Sequence, residues 1–360
     1  MYAPSRYLEW ARRRYGKVAF DLATSGMPTV MVGELPGAAE DADAGDLRRQ
    51  DLLRGAIAAH NAVPVAEAIA TLGTTQAYWL ACATMTGPGD DILVEAPGYE
   101  PLTRIAEGVG ARVTTFERVA ADRFRVDPER VAAALTPRTR LIVVTNLHNP
   151  SGVRTDDSTL RELAKLAART GAWLLVDEVY AEFDALVDER GVFEGSARRL
   201  AVNVVAVSSL TKCYGLGPHR IGWMLAPADV VANAEHTMTA ACGALPLSHA
   251  QQACRTFHAI QTLAAKSRTH LDGKRDLVAR WVAENGFGWS APEEGLFALV
   301  TLAGRGDLTA TIESAAHEHE VLVAAGSFFG VPNGFRLAWS APRDKLSEGL
   351  SRLSAALAER

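Results

Sequence analysis

Long apolar runs are missing from this chain of 360 residues. No stretch approaches the roughly 20 apolar residues that a membrane-spanning helix needs, and the first residues lack the apolar core of a secretory signal. We therefore expect a cytoplasmic protein with no membrane partner. Cysteine is scarce: Cys82, Cys213, Cys242 and Cys254 form no CxxC pair and no zinc-ligand spacing. That excludes a disulfide scaffold and a zinc module, and leaves free thiols suited to a reducing compartment. Basic charge is not in excess. The formal net charge of -5 and pI near 6.0 provide no field for nucleic acid, which is not an expected partner. Lysine is scarce beside arginine, since only Lys17, Lys165, Lys212, Lys266, Lys274 and Lys345 stand among 37 Lys plus Arg.

Several motifs are absent too. There is no Walker loop and no GxSxG elbow. "GLGPHR" at Gly215 follows a strand-like run, but Arg220 replaces the third glycine of a dinucleotide fingerprint and Pro218 interrupts it. "HEHE" at His317 to Glu320 lacks HExxH spacing, so it reads as a solvated helix face and no metal is expected.

What is present is an alternation. "DILVEAP" from Asp91, "ARVTTF" from Ala111, "TRLIVVTN" from Thr139, "AWLLVDEVY" from Ala172 and "AVNVVAVSS" from Ala201 are β-rich apolar runs separated by helix-like segments. In "TDDSTLRELAKLAART", Leu160, Leu163, Leu166 and Ala167 repeat with helical spacing; Thr155 is the expected cap, with Asp156 and Asp157 at the positive end of the dipole. Near-continuous apolar strands alternating with helices predict an α/β fold, a mainly parallel central sheet with helices on both faces.

Beyond "CGALPLSH" the pattern changes. "GLFALV" and "GFRLAWS" read as strands, and Leu346, Leu350, Leu353 and Leu357 line one face of a last helix. A smaller α+β domain follows. The expected division is an arm at 1–40 that joins the small domain, a large domain at 41–245 and the small domain at 246–360. The basic opening "MYAPSRYLEWARRRYGK" is read as an arm or first helix suited to packing on a partner subunit.

In a parallel sheet, ligands gather beyond the carboxyl ends of the strands. There "LIVVT" is followed by Asn146 and "HNPSG", "WLLV" by Asp177, Glu178 and Tyr180, and "VVAV" by Ser208, Ser209 and Lys212. Lysine differs from arginine in that its amine can lose a proton and attack a carbonyl carbon. "NPSG", "DEVY" and "SLTKCYGLGPHRIGW", in this order and spacing, resemble the pyridoxal-phosphate enzymes of fold type I, class I/II aminotransferases, and the resemblance runs from about Thr24 to Trp339.

That resemblance implies the cofactor pyridoxal 5'-phosphate and a role for each matching residue. Lys212 matches the lysine that holds the aldehyde covalently and later moves the α-proton; Asp177 matches the carboxylate that keeps the ring nitrogen protonated. Asn149 and Tyr180 match the pair on the ring hydroxyl, and Tyr99 matches the ring-stacking aromatic. Thr74, Thr75, Ser209 and Arg220 match the phosphate group's partners. Arg336 matches the arginine that grips the substrate's α-carboxylate, with Ser25 and Gly26 on the substrate side. The implied activity is transfer of an amino group between an α-amino acid and a 2-keto acid, in a homodimer. A lyase, cyclase or eliminating enzyme with the same cofactor set is the alternative, since these residues serve all of them. An amine-sensing regulator would carry a DNA-binding segment, for which we expect no room before the arm.

Three places depart from the family pattern. "AEDADAGDLRRQ" has no aromatic where a tyrosine normally reaches the neighbouring subunit's phosphate. Gly217 and Pro218 follow the lysine where alanine or proline and then glycine is usual. "VAAGSFFG" stands where a proline-glycine start is usual. No second arginine for a dicarboxylate side chain is identifiable.

Overall fold

The computed structural model describes residues 2–35, 48–183 and 187–358. The chain opens with α1 (Arg6–Arg14), capped by the Ser5 hydroxyl, and β1 (Phe20–Asp21). Then come α2 (Arg48–His60), β2 (Ala68–Thr71), α3 (Thr74–Met85), β3 (Asp91–Ala96), α4 (Glu100–Gly108) and β4 (Arg112–Glu117). The alternation continues through α5 (Pro128–Ala134), β5 (Thr139–Thr145), α6 (Asp157–Thr170), β6 (Trp173–Asp177), β7 (Val204–Ser209), β8 (Gly222–Leu225) and α7 (Ala228–Cys242). Helices α8 (Leu247–His258), α9 (Ile260–Leu271) and α10 (Lys274–Glu284) lead to β9 (Gly288–Trp289) and β10 (Phe297–Thr301). The end comprises α11 (Thr309–Glu318), β11 (Val321–Leu322), β12 (Ala324–Ala325), β13 (Gly334–Ala338) and α12 (Arg343–Ala358).

Strands β2 to β8 build a seven-stranded sheet in the order β2-β8-β7-β6-β5-β3-β4. All neighbours pair parallel except β8, which runs antiparallel to both β7 and β2. Strand β5 shows why its sequence is apolar throughout. Leu141 and Val143 pack into the layer holding Tyr78, Leu80 and Val231, while Ile142 and Val144 pack into the opposite layer with Leu160 and Leu163. A strand covered on both sides loses the polar half of its alternation, and each such side chain contributes about 1.5–3 kcal/mol by leaving water.

Helix α6 buries Leu160, Leu163, Ala164 and Ala167, but its cap differs from the expected one. Asp156, not Thr155, occupies the cap and accepts from Thr159 N at 2.8 Å. Thr155 is held instead by Asn146, whose Oδ1 accepts from Thr155 N and whose Nδ2 donates to Thr155 O, both at 3.0 Å. A carboxylate suits the positive helix end better than a hydroxyl does, and the second pair fastens the loop after β5.

The smaller sheet runs β12-β13-β10-β9, all antiparallel. In the arm, β1 pairs in parallel with β11 as a separate two-stranded sheet. Helix α1 packs within its own chain: Glu100 Oε2 accepts from Ser5 Oγ and Tyr7 N at 2.9 Å, and Trp10 Nε1 donates to Glu313 Oε1 at 2.8 Å. The stretch lacking the expected tyrosine lies largely outside the described residues.

Candidate active site

The ends of β5, β6 and β7 and the start of α3 surround a cavity of about 280 Å³. Thr74, Thr75, Tyr99, Asn149, Asp177, Tyr180, Lys212 and Arg220 all line it, although the sequence separates Thr74 from Arg220 by most of the large sheet. The remaining expected residues adjoin it. Ser209 Oγ accepts from Thr74 Oγ1 at 2.9 Å and bonds to Thr211 Oγ1 at 2.7 Å. Gly26 lies against the lysine: a Cβ there would sit 3.5 Å from Lys212 Cδ. Arg336 is fully buried and one bond further in, with Nη1 donating to Asn149 Oδ1 at 2.7 Å.

Lys212 follows β7 through a short turn, and Met27 N donates to its carbonyl at 2.9 Å. Among the described residues its ammonium has no hydrogen bond or ion pair. Asp177 ends β6 and is 5% exposed, and its Oδ1 accepts from Val179 N at 3.1 Å. Neither a hydrogen bond to a cation nor a salt bridge reaches it among the described residues. Burial therefore dominates and pushes its pKa up to about 7, with Glu95 nearby adding to the rise and Lys212 opposing it. Glu178, the next residue, points elsewhere. It accepts from Ser196 Oγ at 2.9 Å and from Ala197 N, and burial pushes it up to about 8.

At the other end of the cavity Gly73 caps α3 with φ of +88°. A Cβ on Gly73 would come within 2.4 Å of Arg220 Nη2, so only glycine lets the guanidinium lie across the helix start. Arg220 itself has φ of +55° and donates to Leu72 O at 3.2 Å. The unpaired amides of the first helical turn, three hydroxyls and a guanidinium converge there, which is the donor set an anion such as phosphate calls for.

The Tyr180 hydroxyl donates to Ser25 Oγ at 3.0 Å. Its ring meets Phe297 edge-on at 4.8 Å. Tyr7 and Tyr15 are functional candidates that sequence reasoning missed. Arg336 Nη2 donates to Tyr7 OH at 2.7 Å, and Tyr7 and Tyr15 share a hydrogen bond at 2.7 Å. The Tyr7, Ala11, Tyr15 spacing put both rings on one helical face, but nothing local named their partner. Burial opposes ionisation of both phenols. The charges of Arg336 and Lys212 still bring Tyr7 below its ordinary range, while burial and Tyr7 hold Tyr15 well above. The unusual "GSFFG" loop supplies the rest of this wall: Phe328 packs on Tyr7 and Trp10, and Phe329 lies over Arg336 at 5.1 Å.

An uncompensated buried carboxylate, an unpaired ammonium and an anion cradle closed to any Cβ share one cavity, and these residues fit pyridoxal phosphate. The family model for aminotransferase class I and II matches residues 43–353. The chain belongs to that family, whose cofactor is pyridoxal phosphate. It is 30% identical to the capreomycidine synthase of Streptomyces vinaceus, over 96% of this chain and 92% of that protein. It is 29% identical to the arginine–pyruvate transaminase of Pseudomonas aeruginosa, over 87% of this chain and 82% of that one. Its fold superimposes on the solved pyridoxal-phosphate-dependent cyclase OrfR with a TM-score of 0.85 and 26% identity, covering 99% of this chain and 98% of the other. No helix among the described residues is long and apolar enough to cross a membrane.

Proposed function

We propose that the protein is a pyridoxal-phosphate-dependent aminotransferase that moves an amino group from an α-amino acid to a 2-keto acid. The observation that carries this is the convergence of Lys212 and Asp177 on one cavity. When bound, the cofactor supplies an aldehyde that captures the substrate's amine and a ring that draws electrons from the α-carbon. Lys212 Nζ would take the proton from the substrate's α-carbon and deliver it to the former aldehyde carbon. Asp177, too buried to stay ionised alone, holds a proton at the ring nitrogen. Thr74, Thr75, Ser209 and Arg220 would hold the phosphate, and Tyr99 would cover the ring. Asn149 and Tyr180 serve the ring hydroxyl, so Tyr180 trades its bond to Ser25. Arg336 orients the substrate's carboxylate beside Gly26, which fixes the direction of the α-hydrogen bond.

The wider assignment is a homodimer in the cytoplasm. Exposed Met31, Leu52, Val65 and Leu72 support an interface, and light scattering tests it. We divide the chain near residue 245, because the large sheet spans 68–225 and the small one 288–338.

A second reading is a cyclase or lyase on the same cofactor, favoured by the 30% identity to capreomycidine synthase over 96% of this chain. Incubation with single amino acids separates the two. Keto acid with pyridoxamine phosphate supports transamination; ammonia or a ring-closed product transfers the assignment to the second reading. Lys212→Ala is expected to lose the bound cofactor's yellow absorbance and, with its proton shuttle, a factor of about 10²–10⁴ in rate. Retained absorbance and rate would remove Lys212 from the mechanism.

A further inference from the structure

We propose that the Tyr7 hydroxyl competes with the substrate's carboxylate for Arg336, which makes Tyr7 a specificity-determining residue carried on α1. The proposal rests on reading Arg336 as the carboxylate clamp. Arg336 is buried on β13, and its donors are unevenly used. Nη1 donates to Asn149 Oδ1 at 2.7 Å, Nη2 donates to Tyr7 OH at 2.7 Å and Ala23 O at 3.2 Å with Tyr15 OH further off at 3.4 Å, and Nε has no partner among the described residues. A planar guanidinium has two edges that present a pair of parallel N–H groups, and Nη2 belongs to both. A carboxylate that grips either edge with two oxygens therefore meets Nη2, where Tyr7 already sits.

The hydrogen-bond chain has one direction. Tyr15 OH donates to Ala23 O at 3.1 Å, so its oxygen accepts from Tyr7 OH, and the Tyr7 oxygen is left to accept from Arg336. Tyr7 thus presents a lone pair at 2.7 Å, as one oxygen of a carboxylate does. Its ring also covers the guanidinium at 5.4 Å, beside Phe297 at 5.2 Å and Phe329 at 5.1 Å.

The partners of Nη2 differ in what holds them. Ala23 O is backbone two residues after β1, whereas Tyr7 rides on a nine-residue helix. That helix is tied down by Glu100 and by Glu313, which receives Trp10 and Arg14 and is 36% exposed. Only the Glu313 contacts are half-exposed and weak. Tyr7 itself is buried against Tyr99, Phe328 and Phe329, so the ligand a substrate carboxylate can displace is its side-chain hydroxyl, which, unlike the Ala23 carbonyl, can shift without moving backbone. A carboxylate offsets that displacement with charge and a second prong. A neutral amide or alcohol at the same place offers neither, and Tyr7 keeps it out.

The test titrates the holoenzyme with propionate, a monocarboxylate without an amine, by calorimetry, and measures KM and kcat for a good amino donor. Tyr7→Phe keeps the ring and removes the competitor. Propionate is expected to bind about three- to tenfold tighter, the size of one hydrogen bond's net worth, with KM lowered alike and kcat unchanged. Glu313→Gln, which loosens α1 and leaves Tyr7 intact, is expected to shift binding in the same direction. Unchanged or weaker propionate binding in Tyr7→Phe overturns the proposal. Arg336→Lys separates the two layers: if it weakens propionate while Tyr7→Phe does not tighten it, the clamp stands and the competitor falls. If Arg336→Lys leaves propionate binding unaltered, the clamp reading itself fails.

Discussion

Arg336 on β13 and Asn149 after β5 are joined by one buried hydrogen bond of 2.7 Å. That bond fastens the small sheet to the ligand edge of the large one. Asn149 is itself tied to its strand, since its amide donates to Thr145 Oγ1 at 3.0 Å. Asn149→Ala leaves a second guanidinium nitrogen without its acceptor in a dry site, costing about 1–3 kcal/mol. We expect KM for the amino acid to rise by about tenfold or more, with the cofactor still bound. Steady-state kinetics beside cofactor absorbance check it; an unchanged KM would detach Asn149 from the carboxylate site.

The buried carboxylate of Asp177 makes stability without cofactor depend on pH. Its pKa of about 7 lies above the ordinary carboxylate range. Between those values the unfolded chain has released the proton and the cofactor-free native protein has kept it. The native state binds more protons there, so stability falls as pH rises, by on the order of 1 kcal/mol per pH unit for such a group. Glu178, at about 8, adds a slope of the same sign. Thermal unfolding of the cofactor-free protein from about pH 5 to about pH 7 is expected to show a falling Tm. Asp177→Asn is expected to flatten that fall while leaving the part due to Glu178; an identical slope in the variant would contradict the assignment.

Gly73→Ala places a methyl group against Arg220 and forces a non-glycine residue to φ of +88°. The backbone strain costs about 1–3 kcal/mol, and the guanidinium has to leave the helix start. We expect cofactor to be retained about ten- to a hundredfold less well, measured by equilibrium dialysis. Retention equal to the parent's would mean that the phosphate does not use this cradle.

Glu95 and Arg118 are both fully buried and pair at 2.7 Å, with Arg118 Nε also donating to Phe124 O at 2.6 Å. Glu95 Oε1 accepts from Thr145 N at 2.8 Å and so pins the residue that holds Asn149. Burial raises the Glu95 pKa even against Arg118 and Thr145. Removing one partner of such a pair strands the other charge. Glu95→Ala is expected to cost about 3–5 kcal/mol, seen in urea unfolding. A loss below about 1 kcal/mol would show that water or a neighbour compensates Arg118.

Most of the large sheet was legible because its signal is local. The runs ending at Asn146, Asp177 and Ser209 declare strands by composition, and their polar ends fall on one edge once the strands are parallel. The α6 cap was misread by one residue because adjacent Thr155 and Asp156 both suit a helix start. The Tyr180 hydroxyl found Ser25, a partner 155 residues away, which no spacing announces.

By itself, the order of residues determined the alternating elements, the single lysine behind a buried strand and the carboxylate on the strand beside it, because periodicity and strand ends are written within a few positions. Only the tertiary structure decided that Gly73 lies under Arg220, that Asp177 meets no cation among the described residues, and that Tyr7 reaches Arg336 across 329 positions. Those relationships arise where helix starts, strand ends and loops are packed together, and the packing, not any local pattern, sets which side chains meet.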